Sequence, residues 1–97
     1  MQITKRVTFI AKDGCEQDLK DLLEMMVIPS KAEDGCLNYN IYSYKNNPKK
    51  FMAVETWEND KSLDGHKTSP HYKIYKKYSP QYTEKKYSDD LDYMITL

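Results

Sequence analysis

Apolar and polar side chains alternate over the first dozen residues of the chain. The apolar positions of one parity are Ile3, Val7, Phe9 and Ala11. This is the period of a β-strand with one buried face, so we predict a strand over residues 2–12. The spacing then changes to that of an amphipathic helix, with a stripe made of Cys15, Leu19, Leu22, Leu23 and Met26. We expect Pro29 to bend or end this helix near Ile28.

A turn signal, Glu33-Asp34-Gly35, separates this helix from a second strand. The content of β-branched and aromatic residues at positions 36–44 favours that strand. Its two faces differ, with Leu37, Tyr39 and Ile41 on one and Asn38, Asn40, Tyr42 and Tyr44 on the other. Asn46-Asn47-Pro48 predicts a hairpin loop. We predict a third strand over residues 51–57. At its start both odd- and even-numbered positions are apolar, as expected for a central strand that is buried on both faces.

The last forty residues predict two short helices and a final strand. Asn59 or Asp60 can cap a helix that runs to about Gly65. Ser69-Pro70 supplies the cap and the first residue of another helix, which Pro80 is expected to stop. Residues 82–97 have strand composition at both ends, and the charged run at 88–90 suggests a bulge or an exposed kink.

The predicted element order defines the fold class. Strand, helix, strand, strand, helices, strand is the split βαβ order of ferredoxin-like α+β domains, with helices on one face of a four-stranded antiparallel sheet. The 97 residues allow one hydrophobic core, hence a single domain over residues 1–97. Because apolar residues occur on both sheet faces, we expect the bare face to bury itself against a second copy. The prediction is a homodimer joined through the sheet faces, forming a dimeric α/β barrel.

Charge and composition narrow the possible partners. Fifteen basic residues balance fifteen acidic ones, so the formal net charge is zero and does not favour binding to nucleic acid. No apolar run is long enough to span a membrane, and the first residues do not resemble a signal peptide. Two cysteines in such a chain suggest reduced thiols in a cytoplasmic protein. The three scattered glycines give no nucleotide-binding loop, and His66 and His71, separated by a proline, make a metal site unexpected.

Two residues are candidates for proton transfer. His66 lies between the two predicted helices, and an imidazole can accept a proton near neutral pH without a cofactor. If Glu55 faces the helices, its carboxylate could hold the imidazole in one tautomer. The alternative is that His66 is an interior or helix-capping residue with no catalytic role.

Other residues are candidates for contact with a small molecule. The chain has nine tyrosines, and tyrosine suits a cavity that is aromatic and partly polar. Trp57 has the parity of Glu55 and could stack on a planar substrate, although core packing is the favoured role. Hydroxyl and amide contacts to substrate oxygens could come from Tyr72, Tyr75, Asn38, Asn40 and Tyr42.

The stretch from Glu55 to Tyr72 contains E-x-W, an acidic short helix and H-x-x-S-x-H. In this, and in the upstream Glu33-Asp34-Gly35 with Tyr39 beyond it, the chain resembles the antibiotic biosynthesis monooxygenase family. The run from His66 to Tyr72 is most similar to the branches of quinol monooxygenases and of isomerases acting on a small phosphorylated signal compound. The resemblance implies the ferredoxin-like fold, the dimer and small-molecule chemistry without a metal or flavin.

Four functions remain open at this point. The first is a cofactor-independent monooxygenase, in which His66 deprotonates a quinol or related phenol that then reacts with O2. The second is an isomerase that moves a proton beside a carbonyl of a small hydroxylated, phosphorylated compound. The third is a non-catalytic dimer that binds a small hydrophobic ligand. The fourth is haem degradation with His66 as an axial ligand. The many aromatic residues favour the first.

Overall fold

Four strands form one antiparallel sheet in the computed structural model, which describes residues 1–92. The strands are β1 (Ile3–Ala11), β2 (Cys36–Tyr44), β3 (Asn47–Trp57) and β4 (Thr83–Leu91), arranged in the order β2-β3-β1-β4. The helices are α1 (Glu16–Lys31), α2 (Asp60–Lys67) and α3 (Pro70–Tyr82). The predicted ferredoxin-like α+β fold is therefore confirmed. Among the described residues, no helix is both long and apolar enough to cross a membrane.

The hydrophobic core lies between the helices and one face of the sheet. The strands contribute Phe9, Ala11, Tyr39, Phe51, Ala53 and Trp57 to it. The helices contribute Leu19, Leu22, Leu23, Met26, Leu63 and Tyr75. Four of these, from Leu19 to Met26, belong to the apolar stripe predicted for α1. The opposite sheet face carries Tyr42 and Tyr87, both exposed, and no helix covers it in the described chain.

Two prolines lie inside helices, although Pro29 was expected to bend or end α1 and Pro80 to end α3. Helix α1 continues past Pro29 to Lys31, and α3 continues past Pro80 to Tyr82. Each proline sits two residues from the end of its helix. The missing N–H therefore removes a single hydrogen bond from the last turn, where little helix remains to be disrupted.

The β2–β3 hairpin is tighter than expected. Its turn is Lys45-Asn46, and Tyr44 already pairs with Asn47. Asn47 and Pro48 thus belong to β3, not to the loop predicted at 46–48. Pro48 lies where the register shifts beside Tyr44, so its lack of an N–H is tolerated there.

Strand β4 passes through its acidic run without a kink. The register with β1 is regular from Thr4 to Ile10 and shifts only beyond Ile10, so the irregularity lies at the opposite end of β4 from the predicted one. Asp89 and Asp90 stay in the ladder because β1 supplies opposite charges: Arg6 binds Asp89 at 2.7 Å and Lys5 binds Asp90 at 2.8 Å. The C-terminal end of the predicted strand region 82–97 includes residues 93–97, which lie outside the described residues.

Candidate active site

A cavity of about 210 Å³ lies between the sheet and the helices. All four strands contribute residues to its floor, and α1, α2 and α3 contribute residues to its cover. The floor and cover include Phe9, Tyr39, Ala53, Glu55, His66, Tyr72 and Tyr75. Aromatic rings thus surround two groups that can exchange protons, an imidazole and a carboxylate.

His66 is fixed at the end of α2, with 2% of its surface exposed. Asn59 caps the start of this helix: its side chain accepts a hydrogen bond from the backbone N–H of Ser62 at 2.9 Å. The imidazole lies over the ring of Trp57, with centroids 4.5 Å apart, and meets the edge of Tyr72 at 5.1 Å. Packing on both sides therefore fixes the orientation of the imidazole.

The carboxylate that binds His66 is Glu33, not Glu55 as predicted. His66 Nδ1 lies 2.5 Å from Glu33 Oε2. Because an ionised carboxylate only accepts hydrogen bonds, the Nδ1–H of the ring is the donor in this pair. The neutral imidazole then has its basic lone pair on Nε2. The carboxylate that holds the imidazole in one tautomer is therefore Glu33, and the prediction of Glu55 for this contact is wrong.

A tight turn after α1 brings Glu33 to α2. Gly35 has a φ of +80°, in the left-handed region that glycine adopts without strain. Its carbonyl accepts the backbone N–H of Glu58 at 2.8 Å, which anchors the turn to the end of β3. A side chain at position 35 would overlap Ser62 of α2. This close approach explains how a residue beyond α1 reaches an imidazole on α2.

Glu55 and Trp57 form a second buried pair beneath the cavity. The Trp57 indole Nε1–H donates to Glu55 Oε1 at 3.0 Å. Glu55 lines the cavity, whereas Trp57 is fully buried and does not line it. The predicted stacking of Trp57 on a substrate is therefore replaced by stacking on His66. Glu55 Oε2 makes no hydrogen bond within residues 1–92, and a bound hydroxyl could donate to it.

Three tyrosines line the cavity, two of them predicted and one missed. Tyr72 and Tyr75 come from α3, as expected, and Tyr39 comes from β2. Burial is the main cause that raises the pKa of all three, to about 12 for Tyr75. The nearby charge of Glu55 adds to the rise. All three phenols are therefore neutral hydrogen-bond donors at physiological pH.

The polar residues predicted on β2 lie on the wrong face for this cavity. Asn38, Asn40 and Tyr42 have the opposite parity to Tyr39 and are not among the cavity-lining residues. Asn40 Nδ2 instead donates to Asn38 Oδ1 at 2.6 Å. Tyr39 is the register partner of Glu55, and paired residues share a sheet face. Strand parity could thus have identified Tyr39 in place of these three.

His71 joins the Glu33–His66 pair from the first turn of α3. Its Nε2 lies 2.9 Å from Glu33 Oε2 and 3.2 Å from Ser69 Oγ. One carboxylate oxygen is therefore shared by two imidazoles. The three possible ligand atoms lie within 4.8 Å of one another, and two histidines with a glutamate are a donor set that Zn²⁺ accepts. The sequence expectation of no metal site missed this cluster because Glu33 is distant along the chain.

Both cysteines of the chain are free thiols. Cys36 begins β2, directly after the turn that carries Glu33. Burial raises the pKa of the Cys36 thiol, and the charge of Glu33 raises it further.

The fold and the site define a class: small ferredoxin-like proteins with an aromatic cavity and a buried imidazole–carboxylate pair under their helices. Residues 3–78 match the family model described as antibiotic biosynthesis monooxygenase. The chain belongs to this family, and the resemblance found in the sequence is confirmed.

Individual relatives agree with this assignment. The chain is 32% identical over 68 residues to a Mycobacterium tuberculosis protein named "Putative monooxygenase Rv0793", and the match spans 70% of this chain and 66% of the relative. The structure of PA3566 from Pseudomonas aeruginosa superposes with a TM-score of 0.92 at 26% identity, covering 97% of this chain and 95% of that one. The structure of Rv0793 superposes with a TM-score of 0.90 at 24% identity, covering 99% and 98%; this second likeness concerns the fold alone.

Proposed function

We propose that the protein is a monooxygenase that oxidises a quinol or related phenol with O2, using neither metal nor flavin. The observation that carries the proposal is the hydrogen bond from His66 Nδ1 to Glu33. It leaves Nε2 as the base of a ring that lines an aromatic cavity, whereas Glu33 lies outside the cavity lining. An imidazole held in this way is suited to remove a phenolic proton.

The electrons for the reaction come from the substrate. His66 Nε2 accepts the proton of one hydroxyl, and the resulting electron-rich ring carbon forms a bond to O2. The intermediate is a ring hydroperoxide, and its O–O bond breaks with loss of water. Quinol and O2 thus give a hydroxyquinone and water, and no external reductant is needed. The protein contributes orientation, the base and a cavity that limits access of water.

Neighbouring groups suit the same substrate. Glu55 Oε2 is available to accept a hydrogen bond from a second hydroxyl, and the neutral phenols of Tyr39, Tyr72 and Tyr75 can donate to substrate oxygens. The aromatic lining favours a planar ring over the small phosphorylated carbonyl compound that an isomerase would bind. A cavity of 210 Å³ is below the roughly 300–1,000 Å³ of sites for drug-sized ligands, so one or two rings fit better than haem.

Oxygen uptake tests the proposal. We expect chelator-treated protein to consume O2 with a reduced naphthoquinone faster than the protein-free autoxidation control, with a hydroxyquinone as product. Uptake equal to autoxidation would count against a monooxygenase. Uptake that chelation abolishes and Zn²⁺ or Fe²⁺ restores would show that Glu33, His66 and His71 hold a metal, and would contradict the cofactor-free part of the proposal.

We further propose that the single domain acts as a homodimer in the cytoplasm. The sheet face away from the helices carries exposed Tyr42, Tyr87 and Leu91, and a second copy placed there would bury them. The two free thiols suit a reducing compartment. Sedimentation equilibrium at micromolar concentration should give twice the 11.5 kDa of one chain, and a mass of one chain would argue against the dimer.

A further inference from the structure

Three lysines line the cavity and give its outer part a positive charge. They are Lys5 on β1, Lys67 at the end of α2 and Lys86 on β4. The carboxylate that lines the same cavity, Glu55, is buried at the floor and already accepts the Trp57 indole N–H. Charge is therefore divided within one cavity, with the carboxylate at the floor and the ammonium groups nearer solvent.

The lysines differ in their partners. Lys5 binds Asp90 at 2.8 Å. Neither Lys67 nor Lys86 forms an ion pair with any residue from 1 to 92. Two positive charges beside a cavity are thus left without a carboxylate in the described part of the chain.

The position of Lys86 connects this charge to the aromatic lining. Its Nζ lies 5.3 Å from the ring centroid of Tyr75 and 5.8 Å from that of Phe9, within the range of cation–π attraction. These two rings meet edge to face with centroids 6.2 Å apart. An ammonium group held against the rings that line the cavity is placed to contact a substituent on any ring bound there.

We propose that Lys86 and Lys67 form an anion-binding subsite, and that the substrate is an aromatic compound carrying an ionised carboxylate. The ring lies among Phe9, Tyr72 and Tyr75, and the carboxylate remains at the lysines, near solvent. This rests on the proposed function for the reaction at the ring, but it predicts binding that needs no turnover. An anionic group at the mouth also costs little desolvation, because the lysines are exposed.

Two matched ligands test the subsite by calorimetry, since a hydroxynaphthoate and the corresponding naphthol differ only in the carboxylate. Wild-type protein should bind the hydroxynaphthoate several-fold more tightly at low salt, and added salt should reduce the difference. Lys86→Gln should weaken hydroxynaphthoate binding about fivefold and leave naphthol binding within about twofold. Lys45→Gln, in the β2–β3 turn and outside the cavity lining, removes the same charge and should change neither.

Other results would overturn the subsite. Wild-type protein could bind the two ligands with equal affinity, or bind neither of them. Lys86→Gln could also weaken the binding of naphthol as much as that of the hydroxynaphthoate. Tighter binding of an acyclic phosphate than of the hydroxynaphthoate would instead indicate a phosphorylated substrate. The two proposals can fail separately. If the protein binds the carboxylate ligand selectively and through Lys86 but takes up no oxygen, only the monooxygenase proposal is contradicted. If it takes up oxygen but its ligand binding does not depend on Lys86, only the subsite is contradicted.

Discussion

His66→Gln is expected to lower the kcat of quinol-dependent oxygen uptake by about 10²–10⁴-fold, the usual contribution of a positioned general base. Glutamine approximates the size of the imidazole and can donate to Glu33, but it cannot accept a proton near neutral pH. Because His66 packs on Trp57 in the interior, His66→Ala would also leave a cavity. The glutamine variant therefore separates loss of the base from loss of packing.

His71→Gln is the matched control for this prediction. His71 donates to the same oxygen of Glu33 but does not line the cavity, so its loss should lower kcat less than about fivefold. Circular dichroism and thermal unfolding would verify that both variants fold. A folded His66→Gln protein with near wild-type uptake would exclude His66 as the base.

Glu33→Gln is expected to lower kcat by about tenfold or more, with little change in KM, because Glu33 contacts His66 but does not line the cavity. A neutral amide can still accept the Nδ1–H, but it stabilises the protonated imidazole less than a carboxylate does. The loss should therefore fall on kcat, the step in which the base takes the proton. Stopped-flow or electrode measurements of oxygen uptake over a range of substrate concentrations would separate kcat from KM.

Two further variants make the assignment of Glu33 specific. Glu58→Gln removes an exposed carboxylate close to the same turn and should leave kcat unchanged. Glu55→Gln should alter KM through the hydrogen bond proposed to the substrate and should change kcat less than Glu33→Gln does. If Glu55→Gln lowers kcat and Glu33→Gln does not, then Glu55 is the partner of the base during turnover, as the sequence first suggested.

The fold was predictable because it depends on local periodicity. Apolar residues repeat every second position in β1 and at helical spacing in α1, and each repeat also identifies the buried face. The errors occurred where tertiary context outweighs local preference. Pro29 and Pro80 are tolerated in the last turns of their helices, and the acidic run of β4 is kept straight by Lys5 and Arg6 on the neighbouring strand.

The site was only partly predictable because its central contact joins residues that are distant in the chain. His66, Glu55, Tyr72 and Tyr75 reach the cavity from elements whose faces the sequence indicates. Glu33 does not line the cavity but reaches His66 through a turn. The spacing of apolar residues does not indicate which distant residue a turn side chain contacts. The glutamate belongs to the Glu33-Asp34-Gly35 run, whose sequence predicts a turn but not the contact with His66.

The raised pKa of Cys36 has a consequence for an enzyme that would release quinones. Quinones are electrophiles that add to thiolates far faster than to protonated thiols. Burial, and after it the negative charge of Glu33, raise the pKa of the Cys36 thiol and so favour its protonated form. In the proposed enzyme, the carboxylate that orients the base would therefore also slow arylation of the thiol next to its own turn. The same charge would thus serve catalysis and protect the protein from its product.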